Sequence, residues 1–207
     1  KVERVADCCV LGEGPHWDVE TQSLYYVDIF DHSIHKYTPS TNTHTKATIG
    51  ETGVSFIIPV EGAPNKYLLS YGRQVVTVTW DGISSKITEF HKITEVDTEE
   101  DSLTNRLNDG KCDPTGRLWC GTMGSEPKRG HITLKKGSLY SIDPNAKVKQ
   151  HIKPVHISNG LAWNSDGTKF YYIDSGTREI HQYDFDMVNG EISGKKVIFS
   201  LLEAGID

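Results

Sequence analysis

A chain of 207 residues with a net charge of -6 lacks the basic footprint that a nucleic-acid partner requires, and suits a small molecule or a metal ion better. No apolar run approaches the roughly 20 residues of a membrane-spanning helix, and the start Lys1-Val2-Glu3-Arg4 has no signal-peptide apolar region. Cysteines 8, 9, 112 and 120 form no C-x-x-C pair and read as free thiols; with no Asn-x-Ser/Thr sequon, they point to a reducing, cytoplasmic setting.

In chain order, the first element signal is Glu13-Gly14-Pro15-His16-Trp17-Asp18, which runs through a polar turn into the alternating segment Leu24-Tyr25-Tyr26-Val27-Asp28. Period-2 segments follow at 33–37, 54–59, 67–70 and 74–80. Residues 91–105 carry five carboxylates without EF-hand spacing and read as a solvated connection. Asn108-Asp109-Gly110-Lys111 then leads into 117–122, and a second long loop at 124–136 reads as a lid over one face. Further segments fall at 138–142, 160–163, 169–173 and 179–185, with Asp113-Pro114-Thr115-Gly116, Asn164-Ser165-Asp166-Gly167, Asp81-Gly82 and Asn189-Gly190 as turns. No segment of helical length keeps a 3.6-residue spacing, so the chain reads as all-β and antiparallel.

These signals repeat. Asn159-Gly160-Leu161-Ala162-Trp163-Asn164 feeding Phe170-Tyr171-Tyr172-Ile173-Asp174 restates the first phrase over the same sixteen residues. The openings at 13, 55, 109 and 159 are 42, 54 and 50 residues apart, the spacing of propeller or solenoid arrays. Equivalent positions of repeated units line one surface, so Glu13, Asn108 or Asp109, and Asn159 are expected to share a site rather than each merely cap a turn. Alternation along a strand puts Arg106 and Asn108 on one side. Trp17, Trp119 and Trp163 read as packing residues, while His32, His35, His151 and His156 match no zinc spacing and read as exposed. Ser55 has no arguable His/Asp partners for a serine hydrolase.

Gly12-Glu13-Gly14-Pro15-His16-Trp17-Asp18, Asn105-Arg106-Leu107-Asn108-Asp109-Gly110-Lys111, Gly121-Thr122-Met123 and Ile157-Ser158-Asn159-Gly160-Leu161-Ala162-Trp163 together resemble the regucalcin/gluconolactonase family, with the insect luciferin-regenerating branch closest. The resemblance covers essentially the whole chain. It implies a six-bladed β-propeller, with residues 1–207 forming a single incomplete domain of roughly the first four blades. It also implies one divalent cation, calcium foremost with zinc or manganese possible, held by Glu13 and Asn159, and a small lactone substrate contacted by Arg106, Asn108 and Glu126.

The implied function is metal-dependent hydrolysis of sugar lactones, with the cation as Lewis acid and an aspartate as general base. That aspartate has no match in the chain and is expected beyond Asp207, which lacks the Pro before and Gly after that mark it. Alternatives are a calcium-handling protein without turnover and a luciferin-regenerating type of hydrolysis. Four units of six would leave blade faces uncovered, so the chain is expected to be the N-terminal portion of a longer protein.

Overall fold

The computed structural model describes residues 2–206. It contains sixteen strands and a single 3-10 turn at Glu100–Ser102, and the strands form four antiparallel sheets, each of four strands in chain order. The chain falls into two compact units, Lys1–Glu95 and Val96–Asp207.

In the first unit, β1 (Gly12–Asp18), β2 (Ser23–Asp28), β3 (Ser33–Thr38) and β4 (Thr43–Thr48) make one sheet. β5 (Ile57–Pro59), β6 (Lys66–Tyr71), β7 (Gln74–Thr79) and β8 (Glu89–Glu95) make the next. Alternation sends Tyr25, Val27, Ile34 and Ala47 to one face of the first sheet, where they pack on Ile57, Tyr67, Leu69, Val76, Val78 and Trp80 of the second. Burying each large side chain contributes about 1.5–3 kcal/mol.

The second unit repeats the plan with β9 (Arg106–Cys112), β10 (Leu118–Met123), β11 (Gly137–Ile142) and β12 (Val148–Val155), then β13 (Ser158–Trp163), β14 (Lys169–Asp174), β15 (Glu179–Asp186) and β16 (Glu191–Ser200). Trp119 centres its core, with its ring 5.2 Å from Phe170, 5.7 Å from Phe185 and 6.3 Å from Trp163. Each sheet is thus one propeller blade, and the all-β reading holds.

Several sequence readings change. The fourth strand of every blade, β4, β8, β12 and β16, is missing from the alternating segments because these edge strands are mostly exposed, with few buried positions such as Ala47 and Val155, and show no sustained apolar period. Their order comes from the neighbouring strand, as where Thr77 pairs with His91. The acidic stretch 91–105 is therefore not one solvated connection: it begins inside β8, and Asp97 is buried, accepting from Asn105 Nδ2 at 2.6 Å and the Tyr140 hydroxyl at 2.5 Å.

The histidines are not exposed either. His35 is buried between Tyr26 and His44, with ring centroids at 4.7 and 5.2 Å, and His151 stacks on Trp119 at 4.3 Å. His32 and His156 are half-buried. Conversely Trp17, expected in the core, is 45% exposed. It pairs with Leu24, on the sheet face opposite the Tyr25 and Val27 face that packs on the second blade.

Candidate functional site

The repeated phrase has a repeated geometry. In β1 and β13 the residue after the oxygen-bearing side chain is a glycine with positive φ, Gly14 at 56° and Gly160 at 38°, a conformation that other residues adopt only with strain. The pairing register slips at the same point, between Glu13 and His16 and between Asn159 and Leu161. In β9 the extra residue is Asn108 itself, because Asp109 pairs with Gly121 and Leu107 with Thr122. Such bulges re-aim a side chain out of the ladder, which is what a site on an inner strand requires.

The aspartates that close the phrases are structural. Asp174 accepts backbone N–H groups from His156 and Ile157, both at 2.9 Å, and from Gly176 at 3.2 Å. Asp28 does the same for Val10 at 2.7 Å, Leu11 at 3.0 Å and Asp31 at 3.3 Å. Each carboxylate fastens the chain that enters the inner strand just before Glu13 or Asn159.

In the second unit β9 and β13 lie side by side, and three of the expected site residues, Arg106, Asn108 and Glu126, meet beside them. Arg106 donates Nη1 to the amide oxygen of Asn108 at 2.8 Å and to the Leu107 carbonyl at 3.1 Å. Asn108 donates Nδ2 to the Ser158 carbonyl at 2.9 Å, so Asn108 ties the third repeat to the fourth. Asp109 accepts the Gly110 N–H at 2.8 Å.

Glu126 comes from the 124–136 loop and is not a solvated carboxylate. Its side chain is 13% exposed, Oε2 lies 3.9 Å from Arg106 Nη2, and Oε1 accepts the Gly130 N–H at 2.7 Å. The loop carries its own ties, including Thr133 N–H to the Ser125 carbonyl at 2.9 Å.

Asn159 donates Nδ2 to the Ser175 hydroxyl at 2.9 Å, which leaves its carbonyl Oδ1 without a partner among the described residues. Ser175 and the Ser158 carbonyl were not singled out in the sequence. The only signal was position, since Ser175 follows the repeated Tyr-Tyr-Ile-Asp phrase where the first copy has Ile29.

Glu13 occupies the matching step of the first unit and is exposed. Its carboxylate and the Asn159 amide oxygen are hard donors of the kind that calcium and manganese take, and an orphaned amide oxygen fits a cation ligand. Among the described residues no three His, Cys, Asp or Glu side chains group as a cage. Asp207 lies outside the described residues.

Residues 11–207 match the SMP-30/Gluconolactonase/LRE-like region. The chain belongs to this family. Regucalcin from Macaca fascicularis is 33% identical over 193 residues, covering 93% of this chain and 61% of that protein. A luciferin-regenerating enzyme of known structure is 41% identical with a TM-score of 0.90, covering 96% of this chain and 64% of that one. A regucalcin from Agrobacterium tumefaciens, described as a calcium-binding protein, shares the fold at 24% identity and a TM-score of 0.77, covering 93% of this chain and 60% of that one. The chain thus spans less than two thirds of the length of these relatives. Among the described residues no helix is long and apolar enough to cross a membrane.

Proposed function

We propose that the whole protein hydrolyses small sugar lactones with the aid of one divalent cation. The supporting observation is the Arg106–Asn108–Glu126 cluster fastened to the Ser158 carbonyl, one residue before Asn159 and its unpartnered amide oxygen. Family membership supports a lactonase or calcium-binding role in general terms.

Asn108 acts as a strut: with its oxygen taken by Arg106 and its nitrogen by Ser158, it fixes where the guanidinium points. The planar fork of Arg106 then offers directed donors to the ring oxygen and hydroxyls of a lactone, which a lysine cannot match. Glu126, negative and beside that guanidinium, adds an acceptor for a substrate hydroxyl. Asn159, with Glu13, would hold the cation, whose chemistry when bound is Lewis-acid polarisation of the ester carbonyl. The general base is the aspartate that the resemblance places after residue 207, and no residue of 2–206 is assigned that role.

The test is turnover of an aldonolactone panel by the whole protein with calcium, manganese or zinc. Asn159→Ala and Arg106→Lys should each lower kcat/KM by about tenfold or more. No hydrolysis of any aldonolactone, or an Asn159→Ala variant with unchanged activity, would sink the proposal.

A second reading is calcium binding without turnover; the Agrobacterium regucalcin of known structure is described as a calcium-binding protein. In that case calorimetry should give tight calcium binding that Arg106→Lys leaves unaltered. The 41% identity to a luciferin-regenerating enzyme makes that type of small-molecule hydrolysis the third reading, which the same panel extended to non-lactone substrates decides.

A further inference from the structure

The first unit holds a cavity of about 560 Å³ walled by the β1–β2 turn and the β5–β6 connection. Asp18 lines it and Glu13 sits near the other end of β1, five residues away, so at about 3.3 Å per strand residue the two carboxylates are separated by up to about 16 Å along the strand. Its volume lies in the roughly 300–1,000 Å³ range of small-molecule sites.

Tyr25 and Tyr67 line the cavity and are 2% and 4% exposed. The Tyr67 hydroxyl donates to the Tyr25 oxygen at 3.2 Å. The pair therefore uses one of its two protons, and the Tyr25 O–H has no acceptor among the described residues. Burial, and then the bond to Tyr25, push the Tyr67 phenol upward, so it remains protonated. A buried donor without an acceptor costs about 1–3 kcal/mol unless something else accepts its hydrogen.

The walls have both signs of charge. Lys36 Nζ stands 5.6 Å from the centre of the Tyr25 ring, and neither it nor Lys66 has a carboxylate partner among the described residues. Asp18 is committed to its own turn, accepting the Glu20 N–H at 3.1 Å and the Thr21 hydroxyl at 2.5 Å, whereas the Glu20 and Glu61 carboxylates line the cavity without ion pairs. An anion would meet three carboxylates, and a cation would meet two ammonium groups. A neutral molecule whose hydroxyls both donate and accept suits all of these groups at once.

We propose that this cavity is a second binding site, for a neutral hydroxyl-rich small molecule of monosaccharide or polyol size, distinct from the lactone site and independent of it. The probe is D-glucose titrated into isotope-labelled protein, with gluconate as the charged comparator and backbone amide shifts as the readout. Saturable shifts are expected at residues 18–21 and 60–66, stronger with glucose than with gluconate, and unaltered by Glu13→Gln. Tyr25→Phe with Tyr67→Phe removes both hydroxyls and should weaken binding about tenfold, the worth of one or two hydrogen bonds. Lys36→Met, at a half-buried surface position, tests the same cavity should the double variant fold poorly, and is also expected to weaken binding. Shifts confined to residues 106–108 and 158–160, tighter binding of gluconate, no saturation, or unaltered binding in these variants would overturn the proposal.

Discussion

Arg106 and Asn108 are joined by a 2.8 Å hydrogen bond between Nη1 and Oδ1, and through Asn108 the guanidinium is anchored to the carbonyl of Ser158 on the adjacent inner strand. The two side chains therefore behave as one unit. In a double-mutant cycle, Arg106→Ala and Asn108→Ala should show an interaction energy of about 1 kcal/mol, read in stability and, in the whole protein, in kcat/KM. Additive effects would show that the bond does not couple them.

Asp174 is buried and should be among the most sensitive polar positions. Asp174→Ala would leave three backbone N–H groups without their acceptor and should destabilise the protein by about 2–4 kcal/mol, as would Asp28→Ala. Chemical denaturation of each variant measures this directly, and a loss under about 0.5 kcal/mol would contradict the fastening role.

Gly121 lies where the third blade approaches the fourth. An added Cβ would fall inside the Ser158 side chain and 3.1 Å from the Ser138 carbonyl. Gly121→Ala should therefore lower stability by about 1–3 kcal/mol and displace the Ser158 carbonyl that Asn108 holds. Melting curves check the first effect, and lowered turnover with retained fold at low temperature checks the second.

Stability should fall on acidification from near-neutral pH. Burial, then the charge of His44, lowers His35 to about 4 from an ordinary 6.5, and burial followed by Lys149 lowers His151 to about 4 as well. Between about 4 and 6.5 the unfolded chain binds protons that the folded one refuses, so stability rises with pH across that window and is lost as pH drops through it. Tm measured from pH 7 to pH 4 should decline, and His35→Gln should flatten the decline.

The four thiols should react in order of exposure. Cys8 is exposed and Cys120 is buried, with burial pushing Cys112 up to about 11 and the Cys120 thiol higher still. A thiol-specific reagent at neutral pH should label Cys8 first and leave Cys120 unmodified until the protein unfolds.

The repeat openings at Glu13-Gly14 and Asn159-Gly160, the alternating inner strands and the turn positions were legible in the residues, because alternation and turn chemistry are local properties; the bulges at those openings were not. The β4, β8, β12 and β16 strands were not legible. Mostly exposed, they have no sustained apolar period, and the open edge of the preceding strand makes them strands. The burial of His35 and Asp97, the exposure of Trp17, and the union of Arg106, Asn108 and Ser158 likewise come from packing and hydrogen bonds between residues distant in the chain. Sequence alone determined the repeating unit and which side chains open it. Tertiary structure decided which partners those side chains meet, because hydrogen bonds and burial depend on neighbours that no local pattern specifies.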